Sequence, residues 1–133
     1  MNAHEAIKVS QAMTASLHTI DATATVKDAI QAMREHHVSS LAVERRDEHD
    51  EFGLLAIADI AREVIAANRA AERVNVYEIM SKPVLTLPAD MKIKYAVRLL
   101  VRFDLSRALV VDSGRQPVGI VTLRDLVLCY GVD

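Results

Sequence analysis

Gly119-Ile120-Val121-Thr122-Leu123-Arg124-Asp125 and Gly53-Leu54-Leu55-Ala56-Ile57-Ala58-Asp59 are one pattern written twice. Each is a glycine-led apolar run that closes on an aspartate. Each runs from a strand into a helix start, and it is the runs Leu41-Ala42-Val43 and Ala108-Leu109-Val110-Val111, apolar at every position, that suit strands buried on both faces. A carboxylate in the first turn of a following helix faces the unpaired N–H groups there. Working outward, the segments upstream repeat as well. Met13 stands against Met80, a shift of 67 positions, and the same shift aligns Val9 with Val76, Thr19 with Thr86, Ser39 with Ser106 and Val43 with Val110. The second copy is one residue shorter in the loop that follows, after which Gly53 meets Gly119 and Asp59 meets Asp125. A period this long is not that of a helix-pair solenoid. Two copies predict a pair of supersecondary units folded face to face.

Each copy reads β-α-β-β-α. In the first, strands are expected over 17–20, 41–43 and 53–57, and helices over 26–37 and 59–68. Val26, Ala29, Ile30 and Met33 fall at i, i+3, i+4 and i+7, one buried stripe. In the second, strands are expected over 85–87, 108–111 and 118–122, and helices over 93–103 and 123–129. The turn 113–116 contains Gly114, the residue best suited to a positive φ. Lead-in helices are expected over 5–13 and 77–80. The linker 69–74 has neither Pro nor Gly and reads as helical.

Hydrophobic residues make up 51% of the 133-residue chain and aromatic residues only 4%, with no Trp, so the core must be aliphatic. The net charge of −2 argues against nucleic acid or an anionic membrane as partner. One cysteine, Cys129, excludes an internal disulfide, and no apolar stretch approaches the roughly 20 residues of a membrane span, so a cytoplasmic chain is expected. His36 and His37 stand at a helix end, where imidazoles complement the C-terminal dipole; being adjacent they face different sides, and no metal site is expected. Gly-x-Ser-x-Gly, Cys-x-x-Cys, His-Glu-x-x-His and phosphate-loop patterns are absent, which points away from an enzyme.

The chemistry that remains is binding. Thr122 falls at a strand-to-helix turn and Asp125 in the first helical turn. A hydroxyl, free backbone N–H groups and the positive end of a helix dipole suit a phosphate or a sugar, and the carboxylate can accept hydrogen bonds from both hydroxyls of a ribose. The same pair also serves as a helix cap, its first structural task.

The duplicated set, with Ile79-Met80-Ser81, Val84-Leu85-Thr86, the segment from Leu105 to Asp112 and the Gly-Ile-Val-Thr-x-x-Asp ending, resembles a cystathionine-β-synthase (CBS) domain pair, also called a Bateman module. The resemblance covers repeats at 9–68 and 76–130. It implies an α/β fold of two repeats packed through their sheets with pseudo-twofold symmetry. It also implies a stand-alone regulatory module, a homodimer, and clefts that take AMP, ADP, ATP or S-adenosylmethionine and signal to an unknown target protein. Carried over by position, it places Asp125 on the ribose, Thr122 near ribose and phosphate, and Ser81, Val84, Leu85, Thr86, Leu105 and Ser106 around the base. Arg107 is placed on phosphate. From the first copy it adds Thr14, His18, Val38, Ser39, Ser40 and Asp59. That copy departs from the pattern: Ala56 stands where the hydroxyl should be, and Ser40 where the second copy has Arg107. One competent site around Asp125 is therefore expected. The alternative is a structural or dimerisation module that binds no ligand.

Overall fold

The structure, a computed structural model, describes residues 7–82 and 84–131. The order of elements is α1 (Val9–Ala12), β1 (Thr19–Ile20), α2 (Val26–His36), β2 (Ser40–Val43), β3 (Gly53–Ala56), α3 (Ile57–Ile60), β4 (Thr86–Pro88), α4 (Ile93–Arg102), β5 (Arg107–Val111), β6 (Pro117–Thr122) and α5 (Leu123–Tyr130). It is a mixed α/β fold with two three-stranded sheets, β1-β2-β3 and β4-β5-β6. In each, the first strand runs parallel to the middle one across a helical crossover, and the middle and last form an antiparallel hairpin. Every residue of β2 is buried, as are Ala108, Leu109 and Val110 of β5, the pattern of strands covered on both faces.

Two compact units result, and they are not cut where the repeats are. One is His18–Val84; the other joins the chain through Leu17 to the chain from Leu85 onward. The segment leading into each repeat therefore packs on the sheet of the other. In the second unit Val9 N–H donates to Met91 O (2.8 Å) and Ser10 N–H to Ala89 O (3.0 Å). In the first, Val76 N–H donates to Ala24 O (2.9 Å) and Tyr77 N–H to Ala22 O (3.0 Å). These are the same bonds, repeat for repeat. Thr14 pairs in both directions with Ile120, and Ser81 with Leu54. Val9 is fully buried against Leu87, Ile93, Leu100 and Leu126, while Val74, Val76 and Ile79 close the core built on Val26, Leu41, Leu55 and Val64.

The exchanged arms explain the two pattern glycines. A Cβ on Gly119 would lie 2.6 Å from the Thr14 carbonyl oxygen and 2.8 Å from the Met13 sulfur; one on Gly53 would lie 2.8 Å from the Met80 sulfur and 3.3 Å from Ser81 O. Each repeat's glycine makes room for the other repeat's methionine. Gly119→Ala is expected to cost about 1–3 kcal/mol, because a backbone oxygen must move. Gly53→Ala should cost less, because a flexible thioether can turn aside. Urea unfolding of the two variants would contradict this if Gly53→Ala proved the worse.

The arm is also held by charge. Lys82 pairs with Asp50 in the loop between β2 and β3. The Lys82 ammonium first, and then the Arg46 backbone N–H, hold the Asp50 carboxyl well below the usual carboxylate range. A carboxyl whose pKa is lower folded than unfolded stabilises the fold above its unfolded pKa, about 4, and that stabilisation is lost as pH falls further. Asp50→Asn should therefore melt below the wild type at pH 7, with the gap closing below about pH 4. A gap that does not change with pH would exclude this pairing as the cause.

Several local expectations are corrected. The strand expected over 17–20 is paired only at Thr19–Ile20. The linker is extended at Ala70 and Val74 around a single 3₁₀ turn, Ala71–Arg73, and the second lead-in is a 3₁₀ turn, Val76–Glu78, because Val74 O accepts from Val26 N–H and the N–H groups of Val76 and Tyr77 donate to Ala24 O and Ala22 O in the turn ahead of α2, in place of a continuous helix. In the first lead-in only Val9–Ala12 is helical; residues 5 and 6 of that expected helix lie outside the described residues. The helix expected from Asp59 begins at Ile57, continues as a π-helical turn, Ala61–Ile65, and has ended by Asn68 at φ 57°. In the β5–β6 turn, Arg115 and not Gly114 has the positive φ, 62°. Asp112 Oδ1 accepts from the N–H groups of Gly114 and Gln116 (both 2.9 Å), which shifts the left-handed residue one place on.

Candidate functional site

The junction of β6 and α5 brings Thr122, Ser106 and Arg107 together with Asp125. Thr122 caps the helix: its Oγ1 accepts from Asp125 N–H (3.0 Å), and Asp125 Oδ2 accepts from Thr122 N–H (3.3 Å). Leu123 N–H donates to Ser106 O (2.7 Å), which ties the start of α5 to the start of β5. Arg107 lies directly across the ladder from Thr122. A hydroxyl, a carboxylate and a guanidinium-bearing residue thus share one end of the sheet, at a helix N-terminus where anions are favoured. Leu85 accepts from Leu109 N–H, and Thr86 sits across from Leu109 on β4. Leu105, just ahead of β5, is exposed.

The first repeat builds the same junction with different chemistry. Ile57 N–H donates to Ser39 O (2.9 Å), the counterpart of the bond from Leu123 to Ser106. Ser40, buried, lies across from Ala56. Asp59 Oδ2 accepts from Ala56 N–H (2.9 Å), but Ala56 has no hydroxyl to return the bond. Asp59 Oδ1 is meanwhile bound by the Arg62 guanidinium at 3.0 Å. Both oxygens of Asp59 are engaged within the chain. At the position of Arg62 the second copy has Leu128, so Asp125 carries no such pairing from its own helix. Sequence reasoning passed over Arg62, although its spacing of three from Asp59 on a helix is that of an ion pair.

Arm exchange also redistributes the candidate residues. Thr14, a first-copy residue, pairs with β6 two residues ahead of Thr122 and belongs to the unit that holds Asp125. Ser81, a second-copy residue, pairs with β3 two residues ahead of Ala56, and with Val84 belongs to the unit that holds Asp59. Val38 and His18 are in that unit too, and the His18 ring is stacked on His36 with centroids 3.9 Å apart. Among the described residues no cluster of three or more His, Cys, Asp or Glu is placed to hold a metal ion, and no helix is long and apolar enough to cross a membrane.

The sequence model of the CBS domain matches residues 9–66 and again 76–130. The chain belongs to the CBS-domain family. An uncharacterized protein of Methanopyrus kandleri is 32% identical over 106 residues, 79% of this chain, which spans about half (53%) of that protein's length. A hexameric CBS-CP12 protein from bloom-forming cyanobacteria is similar in structure with a TM-score of 0.89 and 31% identity, covering 94% of this chain and 72% of its own. The CBS domain pair of protein MJ0100, solved in complex with 5′-methylthioadenosine and S-adenosyl-L-methionine, gives a TM-score of 0.78 at 25% identity, covering 94% of this chain and all (100%) of its own. The two matched repeats coincide with the two sheets and with the strand-to-helix junction that follows each.

Proposed function

We propose that this CBS pair is a regulatory sensor that binds an adenosyl ligand, of the class of AMP, ADP, ATP or S-adenosylmethionine, at the β6–α5 junction. The observation that carries this is the reciprocal Thr122–Asp125 cap with Ser106 and Arg107 held against it. Asp125 takes the ribose hydroxyls, Thr122 and Arg107 the phosphate or its equivalent, and Thr14, Leu85, Thr86, Leu105 and Ser106 border the ligand. The MJ0100 pair, with two adenosyl compounds bound, supports the ligand class. Asp59, with His18, Val38, Ser39, Ser40, Ser81 and Val84, forms the weaker counterpart. The chain acts without turnover, in the cytoplasm, by self-association and by passing its occupancy to a target protein. For that to signal, the ligand must favour one arrangement over another.

Calorimetric titration with each of the four ligands, up to about 1 mM, tests the proposal. Saturation at one site per chain is expected. Heat of dilution alone with all four would overturn it. A module without ligands is favoured by one observation, the engagement of both Asp59 oxygens, and that observation concerns the first repeat only.

A further inference from the structure

The unit built on β4, β5 and β6 starts its crossover helix differently from the other unit. In the His18–Val84 unit Thr25 caps α2: its Oγ1 accepts from Asp28 N–H (3.1 Å), and Asp28 Oδ2 accepts from Thr25 N–H (3.2 Å). Thr25 is also bridged to Asn75 of the incoming arm. The shift of 67 positions sets Lys92 against Thr25, Tyr95 against Asp28 and Lys8 against Asn75. The bridge is kept, as Lys8 with Lys92, but it puts two exposed lysines opposite each other. The cap is not kept: Lys92 makes no side-chain cap bond, and α4 has no acidic residue in its first turn. Lys92 and Lys94 stand instead at the positive end of the helix dipole. Facing like charges, cations at a helix start and a lost capping box each cost stability. Local rules broken together at one place mark a surface kept for something other than the fold.

The cations continue along the exposed side of α4. Lys94, Arg98 and Arg102 recur every four residues, about 6 Å apart along the axis. The Arg98 guanidinium lies 5.6 Å from the centre of the Tyr95 ring, and Tyr95 and Val101 are themselves exposed, to 48% and 64%. The opposite side of the helix, with Ile93, Ala96 and Leu100, is buried in the core. Among the described residues none of Lys8, Lys92, Lys94, Arg98 and Arg102 is paired with a carboxylate, whereas in the other unit Arg46 and Lys82 share Asp50, Arg62 holds Asp59 and Arg69 holds Glu78. Asp90 and Asp104, exposed at the two ends of α4, make no ion pair with these cations among the described residues.

We infer that this face of α4 is a docking surface for an acidic, partly apolar segment of another protein, whose carboxylates meet Lys8, Lys92, Lys94, Arg98 and Arg102 while its apolar side chains cover Tyr95 and Val101. A lipid surface does not fit, because the apolar side of α4 is committed to the core. A long nucleic acid does not fit, because the chain as a whole carries a net charge of −2 and a phosphate backbone has nothing to set on Val101. The lysine end of the face lies away from the Thr122–Asp125 junction. The chain leaves β4 for α4 at Pro88, across from Val111, whereas Thr122 is across from Arg107 at the other end of β5. The inference rests on the proposed signalling to a target protein and names the chemistry of that target.

Fluorescence anisotropy tests it, on the full chain without nucleotide. The probe is a labelled helical peptide of about 16 residues with Glu at every fourth position and Leu beside it. In about 50 mM salt it should bind with a dissociation constant of about 10 μM. Arg98→Glu combined with Arg102→Glu should weaken binding by about 50-fold and gain affinity for a probe carrying Lys in place of Glu. Lys92→Thr combined with Tyr95→Asp rebuilds the cap of α2 on α4. It should raise the melting temperature by about 3 °C while weakening the probe about 10-fold. A wild type that ignores the probe at about 1 mM, or a charge-reversed variant that binds it equally well, would overturn the inference. So would a short DNA duplex or phosphatidylserine vesicles held more tightly than the peptide by the same residues, or a rebuilt cap that lowers the melting temperature. Calorimetry with the adenosyl ligands should give the same result for every one of these variants, so a failed docking surface leaves the nucleotide reading standing.

Discussion

Asp125→Ala should weaken binding of the tightest adenosyl ligand by about 100-fold or more, because two hydrogen bonds to a carboxylate, each contributing about 1.5 kcal/mol or more, are lost together. The same substitution removes half of the α5 cap, where Asp125 Oδ2 receives the Thr122 N–H. A loss of cap costs about 1 kcal/mol, so a modest fall in melting temperature accompanies the loss of binding without causing it. Asp125→Asn separates the two effects. Its amide oxygen can still accept from Thr122 N–H, so stability should be largely kept, while the charge that strengthens both ribose contacts is gone. Asp59→Ala is the control and should leave the titration nearly unchanged. If Asp59→Ala abolishes binding and Asp125→Ala does not, the site has been assigned to the wrong repeat.

The second large effect is a gain. Ala56→Thr combined with Arg62→Leu should give the first junction the capping hydroxyl and the released carboxylate of the second, with Ser40 still standing where the second has Arg107. Threonine at 56 supplies the hydroxyl that accepts Asp59 N–H, as Thr122 does for Asp125. Leucine at 62, the residue found at 128, releases Asp59 Oδ1 from its guanidinium. Little stability is lost with the ion pair, since the arginine is largely exposed and water screens such pairs, and the new cap offsets it. Affinity at the first repeat should rise by about 10- to 100-fold, and calorimetric stoichiometry should move from one ligand per chain toward two. A stoichiometry of two in the wild type, or of one in the double variant, would show that the hydroxyl and the arginine do not limit the first site.

Much of the fold is legible along the chain because the signals are local. Of the expected stripe, Val26, Ala29 and Met33 are buried and Ile30 is partly buried against the same core, and the two hairpins follow from apolar runs separated by charged or turn residues. The Thr122–Asp125 cap is legible for the same reason: its two bonds span three residues. Gly114 fails as a guide because turn type is decided by the Asp112 side chain and not by the glycine alone. The linker fails because absence of Pro and Gly permits a helix without requiring one, and the start of α2 with the turn ahead of it bonds the backbone of Val74 and Val76.

What the sequence by itself determined is the duplication, the strand and helix order of each copy, and the difference between Thr122 and Ala56. The element order and the cap are read within one turn or one strand, where periodicity and capping act, and the duplication from finding the same local signals again 67 positions on. What only the tertiary structure decided is which copy's arm serves which sheet. Thr14 pairs with Ile120, and Met13 fills the space that Gly119 leaves, across more than a hundred intervening residues. No local period encodes a contact at that distance. The two arms are near copies, and either could in principle have paired with its own sheet. Val9 and Val76 are buried in the cores that the exchanged arms close, and the exchange places Thr14 with Asp125 and Ser81 with Asp59.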